Sequence, residues 1–216
     1  IVFATVGNAT DFGDLGNTSY TSSGVSNSTR AVFTGRIGGT SDNRMEYFTI
    51  ASAGNATDFG DQSVTRYQLG GCQSSTRGVF GGGNSTSDVI DYITTASTGN
   101  ATDFGNLTAG RNCRGGASNT TRGMFFGGES SGDNNIVDYI TIASTGNATD
   151  FGNLTQSNAL HCMSVASSTR AVSTNGNNKN DIDYFTIANT GNSTDFGDLS
   201  SGSGGNGAVS NAHGGT

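Results

Sequence analysis

Apolar residues in this chain come in short runs and alternations, and helical spacing is absent. From position 100 to 143 the order is a short apolar-polar stretch, "NATDFGNL", a turn, "TAG", and a Gly-rich segment, "RNCRGGASN". A tight turn at "NTT" leads into the apolar run "RGMFFGG", the polar loop "ESSGDNN" and the alternating "IVDYITIA". Period-two alternation and short apolar runs bounded by Gly, Asn and Ser predict four strands joined by turns.

The same order recurs. The motif phenylalanines Phe12, Phe59, Phe104, Phe151 and Phe196 stand 47, 45, 47 and 45 residues apart. A second anchor, Ser/Thr-Thr-Arg, places Arg30, Arg77, Arg122 and Arg170 at 18 or 19 residues after their phenylalanines. "MEYFTIA", "VIDYITTA", "IVDYITIA" and "DIDYFTIA" form a third. A period of about 46 residues with four strands and no amphipathic helix is that of a propeller blade and excludes a helical solenoid.

Composition sharpens this picture. The 35 glycines and abundant Ser, Thr and Asn would suit a disordered chain, were aromatic residues not fixed in register among them. With no proline, the turns depend on Gly, Asn and Asp. A net charge of −7, with ten basic residues in no run, disfavours nucleic acid as a partner. No apolar stretch reaches the ~20 residues of a membrane helix, so no membrane insertion is expected. Three cysteines do not complete a disulfide framework. Cys72, Cys113 and Cys162 lie 13, 9 and 11 residues after their phenylalanines, a common parity that predicts one strand face. Three separate repeats carry them, without Cys-x-x-Cys spacing or a recurring His, so neither zinc nor cofactor is expected. No polar loop fits the twelve-residue calcium loop ending in Glu. Asn-x-Ser/Thr sequons are dense and matter only in a secreting host.

"TRGVFGGG…DVIDYITTASTGNATDFGNLTAGR" resembles the kelch repeat, with Phe where that family usually has Trp. The resemblance implies an all-β, five-bladed kelch-like β-propeller over residues 1–216, a single domain or an excerpt of a longer chain. The wording "YITIASTGNATDFGDLT" with "SSTRGVFGGG" is similar to repeat-rich structural proteins in the virions of marine tailed phages. That similarity implies a virion component exposed on the particle.

Within such blades the recurring residues read as structural. Phe12, Phe59, Phe104, Phe151 and Phe196, with the Tyr of "DYITIA", are the expected blade-interface residues. Asp11, Asp58, Asp103, Asp150 and Asp195 are expected to close Asx-turns or to pair with Arg30, Arg77, Arg122 and Arg170. Five copies of one acid do not make an active site. The fifth repeat has His213 in place of that arginine.

Ligand contacts are expected where the copies disagree, about seven residues after each phenylalanine. There stand Tyr20, Arg66, Tyr67, Arg111, Asn112 and Asn158; Arg66 and Arg111 match an arginine that in the kelch family often contributes to a pocket at the channel mouth. Tyr, Arg and Asn around a concave mouth suit sugars or peptides. The expected function is non-enzymatic: a host-surface or glycan-binding propeller of a tail fibre or appendage. The alternative is a purely structural assembly domain docking other virion proteins, and less favoured a glycan-cleaving enzyme; the expected partners are other virion proteins or host-surface glycan, with a homo-oligomer of this chain also open. The last needs paired carboxylates on one face, and the only glutamates, Glu46 and Glu129, fall in different blades. The ring is expected to close by pairing N- and C-terminal strands.

Overall fold

The computed structural model describes residues 8–16, 23–35, 43–84, 86–129, 135–157, 161–176, 178–203 and 208–210. All its regular elements are strands, in four antiparallel four-stranded sheets that follow one another along the chain. Sheet one holds β1 (Ser23–Ser26), β2 (Arg30–Thr34), β3 (Arg44–Thr49) and β4 (Thr57–Asp61). Sheet two holds β5 (Gly70–Gln73), β6 (Arg77–Gly81), β7 (Val89–Thr94) and β8 (Thr102–Asn106). Sheet three comprises β9 (Gly115–Ser118), β10 (Arg122–Phe126), β11 (Ile136–Thr141) and β12 (Thr149–Asn153). Sheet four comprises β13 (Met163–Ala166), β14 (Arg170–Thr174), β15 (Lys179–Thr186) and β16 (Thr194–Ser203). Strand order within each sheet is sequential, as the repeat pattern predicts.

The first strands, β1, β5, β9 and β13, lie side by side in that order. With Ala208, Val209 and Ser210 they line a central cavity of about 280 Å³. Ser210 Oγ donates to Ala166 O at 3.0 Å, fixing that segment on β13. The closure expected from pairing the terminal strands involves residues 1–7 and 211–216, outside the described residues.

Apolar residues fill the three junctions between consecutive sheets. Val25, Met45 and Phe59 meet Leu69, Phe80 and Ile93; Val79, Ile90 and Phe104 meet Phe125, Ile140 and Ile142; Met124, Phe126 and Phe151 meet Ala171, Phe185 and Ile187. The middle sheets are thus apolar on both faces, which gives "VFG" and "MFF" their continuous apolar character.

A β-bulge orients the four motif phenylalanines that lie in outer strands. Met45 pairs with Gly60 and Glu46 with Asp58, leaving Phe59 as the extra residue of β4; Phe104, Phe151 and Phe196 occupy the same place. Because the middle sheets are covered on both faces, adjacent Ile90 and Asp91, or Val137 and Asp138, are both buried while pointing to opposite sides. Phe59, Phe104 and Phe151 are buried between sheets, as expected. Phe12 and Phe196 are not: they are 42% and 56% exposed. Phe12 lies in no strand and touches Phe48 edge-on; beyond β16 no described sheet covers Phe196.

The Gly-Asn-Ala that precedes the motif, Gly-Asn-Ser at Asn192, clips each repeat to the outer strand before it. Gly99 N and Ala101 N donate to Phe59 O (2.7 Å) and Asp61 O (2.8 Å), while Asn100 Oδ1 accepts from Asp61 N (3.0 Å). The clip recurs at Asn55, Asn147 and Asn192. Close approach dictates the glycine after Phe12, Phe59, Phe104 and Phe151. Gly105 has φ +144°, and a Cβ there would lie 2.4 Å from Gly146 O. Gly105→Ala is therefore expected to cost more than about 2 kcal/mol, read as a lower urea midpoint, because strain and clash act together.

Candidate functional site

The linkers that leave each outer strand and enter the next sheet carry the residues in which the repeats differ. A buried acid on the third strand of the next sheet anchors each linker. Ser63 N and Oγ donate to Asp91 (3.2 and 2.7 Å), Thr108 N and Oγ1 to Asp138 (3.1 and 2.6 Å), and Thr155 N and Oγ1 to Asp183 (2.8 and 2.7 Å). Glu46 accepts from Gly16 N at 3.1 Å in the corresponding position of sheet one. Sequence reasoning passed over these acids; the available signal was a Ser or Thr four residues after Phe59, Phe104 and Phe151, matched with the acid before each tyrosine.

Arg66 and Arg111 do not line an open mouth. Both are 0% exposed. Arg66 Nη2 meets Asp91 at 2.8 Å, its Nε donates to Gln62 Oε1 at 3.0 Å, and Gly82 O, Val89 O and Phe80 O take the remaining protons. Burial pulls the Arg66 guanidinium below its ordinary value, against the opposing pull of Asp91. Arg111 Nη1 meets Asp138 at 2.9 Å and Ala109 O at 3.0 Å, and its Nε donates to Gly127 O at 2.9 Å; its buried Nη2 has no hydrogen-bond partner. The acid beneath each linker draws these arginines inward, where they tie linker to sheet. Asp183 has no such cation among the described residues, and the chain has Asn158 where an arginine would stand.

The other expected contacts are spread around this rim. Tyr67 is half-buried, its backbone paired with Asn84 through Tyr67 N–Asn84 Oδ1 (3.0 Å) and Asn84 N–Tyr67 O (3.2 Å). Asn112 is buried, and its Nδ2 donates to Glu129 Oε2 at 3.3 Å. Tyr20 and Asn158 lie outside the described residues, as does His213. Arg114 was missed: it stands ten residues after Phe104, where the preceding repeat has the buried Leu69. It is half-buried with Nε unpartnered, and desolvation lowers its pKa although Glu129 opposes this.

Three of the Ser/Thr-Thr-Arg arginines bridge sheets, and all four do their work without an acid. The guanidiniums of Arg30, Arg77, Arg122 and Arg170 sit 4.6–4.7 Å above the rings of Tyr47, Tyr92, Tyr139 and Tyr184. Arg30, Arg77 and Arg122 also donate to Ala96 O, Ile142 O and Ile187 O of the next sheet, at 2.7–3.0 Å. Asp11, Asp58, Asp103, Asp150 and Asp195 are exposed and pair with none of these arginines. Asp11, Asp150 and Asp195 accept from the glycine two residues on, an Asx-type turn. Arg122→Ala is expected to cost about 1–2 kcal/mol in urea unfolding, since a cation–π contact and a bridging hydrogen bond vanish together.

The cysteines are free and buried. Only Cys72 lies within a strand; Cys113 and Cys162 precede β9 and β13, so parity does not give them a common strand face. Burial pushes the Cys113 thiol up to about 11 and the Cys162 thiol up to about 12, and raises Cys72 as well. Thiols so placed stay protonated at neutral pH and are poor nucleophiles. No group of three or more His, Cys, Asp or Glu among the described residues is arranged to hold a metal. No protein-family model matches the chain, and no curated protein sequence matches it.

Proposed function

We propose that the chain is a five-bladed, kelch-like β-propeller that serves as a non-enzymatic recognition module of a phage tail fibre or appendage and binds host-surface glycan. The five-sheet reading is supported by where the flanking segments sit. Residues 208–210 pack on β13 and line the cavity, while Phe12 O and Asp14 O, in the outer-strand position of a fifth repeat, accept from Gly54 N and Ala56 N of sheet one. The virion assignment rests on the wording of the repeats.

The observation that carries the binding reading is the division of labour within each repeat. Residues that join sheet to sheet recur, whereas those entering the first strand change: Tyr67-Gln68-Leu69 in one copy, Asn112-Cys113-Arg114 in the next. With Arg66 and Arg111 committed to the interior, Tyr67 and Arg114 are the groups at this rim suited to stacking on a sugar and to pairing with an acidic or hydroxyl substituent.

The test is a host-glycan array probed with the purified chain. Tyr67→Ala combined with Arg114→Ala is expected to weaken binding at least about tenfold while leaving Tm within a few degrees. Unchanged binding by the double variant would remove this site, and absence of binding to any host polysaccharide would remove the role.

A further inference from the structure

Outer strands β4, β8 and β12 each carry the clip of the following repeat; β16 carries none among the described residues. The corresponding groups on β16, by the register it shares with β4, are Phe196 O, Asp198 N and Asp198 O, and no loop or turn bond among the described residues reaches them. Gly197 has the same backbone, φ +139°, yet a Cβ there would meet nothing within 4 Å. An unpaired strand edge beside an exposed aromatic ring is a surface that proteins normally cover.

One copy of the clip is unspent. Asn8 and Ala9 precede Phe12 by the spacing at which Asn100 and Ala101 precede Phe104, and both are exposed. We infer that the Asn8–Ala9 turn of the same chain seats on β16, with Asn8 Oδ1 accepting from Asp198 N–H and Ala9 N–H donating to Asp198 O, so that Phe196 is covered. The chain's own turn is the occupant because both sides of the gap are already held: residues 8–14 are anchored on sheet one through Phe12 and Asp14, and Ser210 on β13 of sheet four. A tethered segment held next to its socket has an effective concentration in the millimolar range, well above that of a second copy in dilute solution. The inference rests on the five-sheet reading and makes this clip the closing lock of the ring.

Amide hydrogen exchange by NMR on the full 216-residue chain tests it. The Asp198 amide is expected to be protected to within about tenfold of the Asn153 amide, its counterpart in the clip between sheets three and four. Asn8→Ala, at an exposed position, is expected to speed Asp198 exchange at least about tenfold, leave Asn153 unchanged, and lower Tm by about 3 °C, the loss also expected for Asn147→Ala. An unprotected Asp198 amide in the parent chain, or an Asp198 rate indifferent to Asn8→Ala, overturns the lock. If residues 208–210 remain protected in that case, the five-sheet reading survives; if they also exchange freely, it falls too. Protection that grows with protein concentration, with a doubled mass in light scattering, would make a second copy the occupant and overturn the proposal.

Discussion

Asp91→Ala is expected to cost about 3–5 kcal/mol and to lower Tm by about 10 °C. The substitution leaves the Arg66 guanidinium fully buried with neutral acceptors only, and strips Ser63 N and Oγ of their acceptor. Most of the loss comes from the uncompensated buried charge, so the double replacement Asp91→Leu with Arg66→Met is expected to recover much of it. Asp183→Ala supplies the control. That acid holds Thr155 and accepts from Ser193 Oγ at 3.1 Å, but strands no described cation, and its loss is expected to cost about 1–3 kcal/mol. Urea unfolding of the three variants distinguishes the cases; equal losses for Asp91→Ala and Asp183→Ala would show that the ion pair adds nothing. Raising salt is expected to change little, because a pair excluded from solvent is weakly screened.

The second large effect lies between sheets three and four. At the junction of sheets two and three, the Phe125 ring lies against Gly81: a Cβ on Gly81 would be 2.8 Å from it. In the next junction the sizes are exchanged. Phe126 stands at the register position of Gly81, and Ser173 at that of Phe125. The Phe126 ring centroid lies 5.7 Å from that of Phe185. Phe126→Gly is expected to cost about 3–5 kcal/mol or more through the cavity it leaves, and Ser173→Phe alone about 1–3 kcal/mol through overpacking. Combined, they rebuild the neighbouring junction, so the double variant is expected to be more stable than Phe126→Gly alone. A double-mutant cycle in urea gives the coupling; additive losses would mean that the two positions do not share one space.

Strand order and repeat boundaries were readable in the sequence because each strand keeps its own composition and every turn is marked by Gly, Asn or Ser. Tertiary facts that depend on which faces are covered were hidden. An acid at one position of an alternating strand gives no sign that its face is packed by the neighbouring sheet, so Arg66 reads as free for a ligand. In sheet two both faces are covered, so Asp91, on the Phe80 and Ile93 face toward sheet one, is buried with Arg66 beside it. Arg114 escaped notice for a related reason: by repeat alignment it falls at an apolar position, but in the third repeat Cys113 is the buried residue there. The exposed Phe196 follows from an edge that no described sheet covers, which no local pattern records.

The exchange of Phe125 and Phe126 between neighbouring junctions bears on folding as much as on stability. Repeats that read almost alike invite a sheet to dock on the wrong neighbour, or on the right neighbour of another molecule, while the chain is still assembling. A large ring opposed to a glycine in one junction, and a ring opposed to a serine from the other side in the next, make those mispairings leave a void or a clash. The sheets thereby carry addresses, and their sequence around the axis is written in side-chain size.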